Sequence, residues 1–306
     1  MREFELIEAI RRSNPDLGPS VIVPPGDDLG MVRLPEGTAL LAGVDQVVAG
    51  VHLAADAPPE AYGRKVVNRS LSDVAAMACI PVGALVTAVL PTELMSDDEW
   101  SLAFAKAARE AALAFDVPLF GGDVATFPMG AGAFTASATV LAVPDGEVGG
   151  RVVLRNGASP GDRLYVSGRF GCSLDVDGGG HHLDFVPRVE LARRLHAELG
   201  DALTAMIDVS DGLASEIGHL AAESEVSISL DAGAVPRRHG ADAIRALSDG
   251  EDYELCFTVG PGGVVPSELD GVLLTRVGEV DVGGGVVMHE DGRPVALDRT
   301  GWEHAE

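Results

Sequence analysis

The segment from about residue 58 to residue 78 predicts a helix, because its apolar residues recur with the helical period. At about 100° per residue, Tyr62, Val66 and Met77 fall on one apolar stripe. Asp73 falls on the same stripe, about 20° from Tyr62 and from Val66. A buried carboxylate is costly unless it has a partner, so Asp73 is a candidate functional residue.

Strand-like and helix-like runs alternate through the rest of the first half. Apolar, valine-rich runs predict strands at residues 20–25, 38–53, 82–91, 117–123 and 133–144. A second helix is predicted over 96–116, with acidic residues in its first turn. We expect Asp56 to cap the start of the first helix.

A polar, glycine-rich stretch at 145–162 then interrupts the pattern, and the second half repeats the mixed style. Strands are predicted at 163–168, 205–212 and 251–259, the last half-buried, and helices at 186–199 and 213–224. Glycine runs at 178–180 and 281–287 predict loops. We therefore predict an α/β protein of the α+β type with two domains, residues 1–148 and 149–306.

Composition excludes several classes of protein. The formal net charge is −25, with lysine only at positions 65 and 106, which argues against a nucleic-acid binder. The chain has no run of about 18 apolar residues, and its charged start is unlike a secretory signal, so we expect no membrane association. Cys79, Cys172 and Cys256 are widely spaced, as in proteins of a reducing cytoplasm.

Several aspartates lie at the ends or edges of apolar elements. They are Asp27, Asp28, Asp45, Asp73, Asp123, Asp208 and Asp211. Taken singly, Asp27 and Asp28 suit a turn, Asp123 suits a loop, and Ser210 or Asp211 suits a helix cap. No arginine recurs at matched positions beside them, so a divalent cation is the simpler partner. Magnesium takes oxygen ligands and commonly bridges to substrate phosphates. The sequence contains neither a P-loop nor a dinucleotide-binding fingerprint, so neither of these common nucleotide motifs is present.

In their order along the chain, several segments resemble the thiamine-monophosphate kinase family, within the superfamily of aminoimidazole ribonucleotide synthetase and selenophosphate synthetase. The most specific are "SLSDVAAM", "FGGDVAT", "DVSDGL" and "GEDYEL", and the likeness runs from about residue 3 to 304. The resemblance implies ATP-dependent, magnesium-assisted phosphorylation of thiamine monophosphate to thiamine diphosphate. It also implies a homodimer formed through the first domain's sheet, and an active cleft between the two domains.

The resemblance also implies roles for individual residues, carried over position by position. Magnesium ligands are expected at Asp28, Asp45, Asp73, Asp123, Asp208 and Asp211, with Asp27 ranked below Asp28. Catalytic roles are also expected for Asp45, Asp73, Asp123, Asp208 and Asp211. ATP contacts are expected at Gly122, Asp123, Arg155 and Ser210, and thiamine phosphate contacts at His52, Glu251 and Trp302. Without the resemblance, the sequence favours an exposed linker role for Arg155 and a packing role for Trp302. It leaves a loop role for His52 and a surface role for Glu251 open.

Two departures from the family pattern leave other functions open. Gly43 and Val44 stand where the family has hydroxyl side chains beside the metal, and Asp249 replaces the first glycine of the usual "GGEDYEL". The alternatives are a superfamily relative that phosphorylates another acceptor, and a binding protein without turnover. A selenophosphate synthetase is disfavoured because no cysteine precedes Cys79, and a hydrogenase-maturation protein because the chain ends in "WEHAE".

Overall fold

The computed structural model describes residues 12–13, 17–297 and 301. It contains two β-sheets with helices packed against them, which confirms the predicted fold class. The first sheet has six strands in the order β1-β2-β3-β6-β4-β5. Its strands are β1 (Val21–Val23), β2 (Gly30–Arg33), β3 (Ala39–Val48), β4 (Ile80–Pro91), β5 (Leu119–Phe127) and β6 (Thr135–Val143). All neighbouring strands are antiparallel except β4 and β5, which are parallel.

The second sheet has eight strands, seven of them in the order β14-β13-β9-β12-β7-β10-β8, with β11 paired to β12. The strands are β7 (Arg163–Ser167), β8 (Leu203–Val209), β9 (Ser227–Asp231), β10 (Glu254–Val259), β11 (Glu268–Leu269), β12 (Val272–Asp281), β13 (Gly285–Glu290) and β14 (Arg293–Pro294). The sequence predicts a loop at 281–287. Strand β12 extends to Asp281 and strand β13 begins at Gly285, so the loop covers only residues 282–284.

Seven α-helices lie between residues 17 and 297. They are α1 (Pro59–Ala76), α2 (Thr92–Met95), α3 (Asp98–Leu113), α4 (His181–Asp184), α5 (Val189–Leu199), α6 (Leu213–Glu223) and α7 (Ala243–Ser248). Helix α1 starts after Pro58 without a side-chain cap, so the expected cap at Asp56 is wrong. Pro59 begins the helix, and proline has no backbone N–H that needs a cap. None of the described helices combines the length and the apolar character that crossing a bilayer requires.

Helix α1 packs on one face of the first sheet, and its apolar stripe forms part of the core. Tyr62, Val66 and Met77 are buried, as the helical period predicts. The same hydrophobic cluster continues into the second half through Leu255 and Phe257. The two halves therefore pack against each other through a shared apolar core. The predicted domain boundary at 148/149 falls between the strands of the first sheet and those of the second, and it stays a prediction.

Strand β10 is buried on both faces, so the prediction of a half-buried strand is wrong. Leu255 and Phe257 belong to the core shared with the first half, whereas Cys256 belongs to a second core on the opposite side. The strand lies between β7 and β8, and both sides of the sheet are covered. Alternation of residue types did not reveal this, because burial of the second face depends on elements distant in sequence.

Candidate active site

Three of the predicted metal ligands meet between the two halves of the chain. Asp28 lies in the turn between β1 and β2, Asp73 lies near the end of α1, and Asp208 lies near the end of β8. Each offers a carboxylate oxygen within 4.8 Å of the others. We call these three residues the carboxylate cluster.

Electrostatics in the cluster suit a cation. Burial raises the pKa of Asp73 well above its usual value, and the negative charges of Asp45 and Asp208 raise it further. Burial and the nearby charge of Asp28 raise the pKa of Asp208 to about 8. Within the described residues, no hydrogen bond or ion pair engages the Asp73 carboxylate. Oxygen donors at this spacing, with surplus negative charge, fit Mg²⁺ or a similar hard cation.

Arginines contact three of the aspartates, although no arginine recurs at matched positions beside them in the sequence. Arg155 donates from Nε to Asp28 Oδ2 at 3.2 Å and from its second guanidinium nitrogen to Asp28 Oδ1. Its backbone N–H donates to Asp27 Oδ2 at 3.1 Å. Arg69 donates from Nε to Asp45 Oδ2 at 3.1 Å. The paired residues lie 24 to 128 positions apart in the chain. A search for arginines at fixed short distances from the aspartates therefore could not find them.

Asp211 and Ser210 lie in the turn after β8, next to a buried acid. Gly212 occupies the N-cap position of helix α6 and provides no side-chain cap, so neither Ser210 nor Asp211 occupies the cap position that the sequence left open. Instead, the Asp211 N–H donates to Glu216 Oε1 at 3.2 Å. Glu216 is buried, and burial together with the charge of Asp211 raises its pKa well above the usual value. The contact fixes the turn that carries Asp211.

A cavity of about 440 Å³ opens beside this turn and is lined from both halves of the chain. His52, Ser210, Asp211 and Glu251 line it, as do Arg69, His182, Arg245 and Asp249. The predicted substrate contacts His52 and Glu251 therefore face one space. Asp249 lies on the wall, where its Oδ2 accepts hydrogen bonds from Cys172 N–H and from Arg245 Nε, both at 2.9 Å.

The loop that carries Glu251 has a strained backbone. Glu251 and Tyr253 have φ values of 57° and 49°, a region that side chains other than glycine rarely adopt. The Glu251 N–H donates to Ser210 O at 2.6 Å, and the Tyr253 N–H donates to Val209 O at 2.8 Å. These bonds hold the "GEDYEL" segment against the "DVSDGL" segment. Strain of this kind persists where the surrounding structure imposes it, commonly at ligand sites.

Asp123 lies apart from the carboxylate cluster. In the first sheet it pairs with Thr87, Thr87 pairs with Ser137, and Ser137 pairs with Gln46. Directly paired side chains point to the same face, so Asp123 shares a face with Gln46. Asp45, one residue earlier, points to the opposite face, where it contacts Arg69 of α1. The metal and ATP roles of Asp123 stay predictions.

The remaining predicted residues differ in what the structure describes. A Cβ added at Gly122 would lie 1.9 Å from Val86 O, so the close approach of β4 and β5 requires glycine there. Trp302 lies outside the described residues. Its neighbour Gly301 is described, and a Cβ there would lie 2.6 Å from Asp211 O.

Sequence reasoning missed five residues at the site, namely Lys65, Arg69, His182, Glu216 and Arg245. Lys65 is fully buried, and its Nζ contacts His52 O at 2.8 Å, His182 Nδ1 at 2.9 Å and Glu251 Oε2. Burial lowers the pKa of Lys65, and the Glu251 carboxylate opposes that shift. Lys65, Arg69 and Asp73 are spaced four residues apart, so they share one side of α1. This spacing is visible in the sequence and could have identified Lys65 and Arg69 as residues near Asp73.

Comparisons with known proteins show the family to which the chain is related. Residues 26–143 match the family model "AIR synthase related protein, N-terminal domain". The chain is 32% identical to the thiamine-monophosphate kinase of Salmonella typhimurium over 99% of this chain and 98% of the relative. It is 34% identical to that of Caulobacter vibrioides over 91% of this chain and 84% of the relative.

Solved structures show the same likeness. The structure of AaThiL complexed with AMPPCP and TMP has a TM-score of 0.81 and 26% identity, and the match covers 99% of this chain and 97% of that one. The hydrogenase maturation protein HypE in its complex with HypF is 17% identical with a TM-score of 0.75, over 96% of this chain and 99% of that one, a likeness of fold alone. With its full-length relatives above 30% identity, the chain belongs to the thiamine-monophosphate kinase family.

Proposed function

We propose that this chain is an ATP-dependent kinase that phosphorylates thiamine monophosphate, giving thiamine diphosphate and ADP. The observation that carries the proposal is the carboxylate cluster beside a cavity lined from both halves of the chain. Family membership supports it, because the curated relatives are named thiamine-monophosphate kinase. The related structure of AaThiL is a complex with AMPPCP and TMP.

The chemistry requires alignment and charge neutralisation more than proton transfer. An oxygen of the acceptor phosphate forms a bond to the γ-phosphorus of ATP, and the bond from that phosphorus to the β–γ bridging oxygen breaks. The acceptor is largely ionised near neutral pH, because the second pKa of a phosphate monoester is about 6. No catalytic base is needed, and the chain's task is to hold two polyanions in line.

Magnesium is part of the proposal. Asp28, Asp73 and Asp208 would hold it, and Asp45 and Asp211 are further proposed ligands. Its chemistry would be neutralisation of phosphate charge during transfer. Ser210 and Arg155 are proposed to contact ATP. His52 and Glu251 line the same cavity and are proposed to bind the thiamine phosphate there.

We further propose a homodimer. The first sheet exposes Val44 (63%) and Val89 (42%) on the face opposite α1. Strand β5 is an edge strand and is exposed over most of its length. Uncovered apolar positions beside an unpaired edge favour a second copy as the covering partner. Sedimentation velocity should give twice the monomer mass, and introducing Glu at both valines should give the monomer; a monomeric wild type would overturn this assignment.

A cytoplasmic location is proposed because the three cysteines are free. Cell fractionation tests it, and recovery from an extracytoplasmic fraction would contradict it.

The experiment that tests the function is a turnover assay with pure protein, ATP, Mg²⁺ and thiamine monophosphate. Thiamine diphosphate should form, and chelation of Mg²⁺ should stop its formation. Unphosphorylated thiamine serves as the control acceptor. Turnover only with other phosphorylated acceptors would indicate a different superfamily activity. Binding of ATP and thiamine monophosphate without product would indicate a homologue that has lost catalysis, as the departures at Gly43 and Val44 left open.

A further inference from the structure

Helix α1 carries a line of charged residues from the cavity to the carboxylate cluster. Lys65, Arg69 and Asp73 follow at intervals of four, which at about 1.5 Å per residue spans about 12 Å. Lys65 contacts Glu251 at the cavity end, and Asp73 belongs to the cluster at the other end. Arg69 lies between them. The three residues thus mark a path between the proposed substrate site and the proposed metal site.

The contacts of Arg69 connect both sites. Its Nε donates to Asp45 Oδ2 at 3.1 Å, and its Nη1 contacts Glu251 Oε1 at 3.5 Å. The second contact is at the limit for a hydrogen bond. A guanidinium has five N–H donors, so the two contacts leave donor capacity unused. The Arg69 side chain is only 12% exposed, and it lines the cavity. Its unused N–H donors are therefore available to a ligand in the cavity, where water access is limited.

The other nearby cations are less suited to bind an anion there. Lys65 Nζ is fully buried, and its three donors have three partners. Arg245 also lines the cavity, but its side chain is 46% exposed and its Nε is bound by Asp249. Asp211, Asp249 and Glu251 add negative charge to the wall, which disfavours a phosphate without a cation.

We propose that Arg69 binds the phosphate of the substrate, at the point where that phosphate meets the cluster. This deepens the proposed function and rests on it. Arg69 supplies a planar fork for a phosphate oxygen pair, and Asp45 holds that fork in place. The assignment also gives Asp45 a role that does not depend on metal, as the partner that orients Arg69. Arg69 accepts and releases no proton in the reaction.

The test compares the binding of thiamine monophosphate with that of thiamine, by calorimetry, in the wild type and in Arg69→Gln. The loss of a charge-assisted contact predicts about 10- to 100-fold weaker binding of thiamine monophosphate, with thiamine binding changed by less than about threefold. Arg69→Lys keeps the charge without the fork and should be intermediate. Arg194→Gln, at an exposed arginine paired with Glu198 and Asp270, is the matched control and should bind as the wild type does.

Equal weakening of both ligands in Arg69→Gln would overturn the proposal, because it would mean that Arg69 only supports the cavity. An unchanged preference for the phosphorylated ligand would also overturn it. If Arg69→Gln does not fold, Arg69→Lys decides, since a lysine variant with wild-type preference contradicts a role for the fork. If the wild type binds thiamine monophosphate but makes no thiamine diphosphate, the kinase function is refuted. The proposed contact between Arg69 and the phosphate would still be tested by the binding measurements.

Discussion

Asp73 of helix α1 and Asp208 of strand β8 bring carboxylate oxygens within 4.8 Å of each other, although 135 positions separate them in the chain. Neither carboxylate is paired with an arginine by a hydrogen bond among the described residues; Asp208 accepts one from Ser72 Oγ at 2.6 Å. The two halves of the chain therefore meet at a point of mutual repulsion. Such an arrangement is stabilised by protons or by a divalent cation.

Asp73→Asn should lower kcat by at least about 100-fold, because Asp73 is a proposed ligand of the Mg²⁺ that would orient the phosphates. The same substitution relieves repulsion, so without Mg²⁺ the variant should be at least as stable as the wild type. A kinetic assay and thermal unfolding with and without Mg²⁺ check both parts. Asp201→Asn, at a fully exposed aspartate, is the control. Near-normal turnover by Asp73→Asn would refute the metal assignment of Asp73.

Stability of the metal-free protein should depend on the ionisation of Asp208. Its pKa is about 8 in the folded state and 3.8 ordinarily, so the folded state holds a proton that the unfolded state has lost. This contribution is fully present below about pH 4 and is lost as the pH rises through about 8. Urea unfolding of the chelator-treated protein across that range measures it. Asp208→Asn should show a shallower decline, and an identical decline in both proteins would contradict the assignment.

Added Mg²⁺ should reverse this trend, because the cation replaces the proton. The stabilisation by Mg²⁺ should increase with pH until about pH 8, by no more than about tenfold in apparent affinity per pH unit for each proton displaced. Mg²⁺ titrations followed by thermal unfolding at several pH values provide the measurement. A Mg²⁺ effect that is constant with pH would show that the cation binds elsewhere.

Leu29 occupies the space that a side chain at position 43 would need. A Cβ at Gly43 would lie 2.4 Å from Leu29 Cδ2 and 3.6 Å from Asp73 Oδ2. Gly43→Ser should therefore cost about 1–3 kcal/mol of stability, because buried Leu29 must move. Combining it with Leu29→Ala should cost less than the sum of the two single changes, and should place a hydroxyl near Asp73. A double-mutant cycle by urea unfolding tests the coupling; simple additivity would contradict it.

Gly122→Ala should disturb the pairing of β4 with β5, because the new methyl group would meet the Val86 carbonyl oxygen and only a backbone shift relieves that contact. A loss of about 1–3 kcal/mol is expected, together with weaker ATP binding. Gly262→Ala is the matched control, since a Cβ there has no described atom within 4 Å. Urea unfolding and ATP calorimetry check the prediction. Equal behaviour of the two variants would show that β5 tolerates the shift.

Much of the fold followed from local patterns. The period of 3.6 located α1 and its buried face, and valine-rich runs located most strands of the first sheet, because residues close in sequence determine these features. The predictions of helix ends and of strand burial were less accurate. The cap expected at Asp56 is replaced by Pro59 at the helix start, and the strand expected to be half-buried is covered on both faces.

By itself, the sequence determined the elements, the aspartates placed at their ends, and the resemblance to a family. Only the tertiary structure decided which of those aspartates meet. Asp28, Asp73 and Asp208 converge, whereas the pairing of strands turns Asp123 to the opposite face from Asp45. The partnerships of Arg69 and Lys65 with Glu251 join residues more than 180 positions apart. Periodicity reports the face of an element, but the packing of distant elements determines what that face contacts.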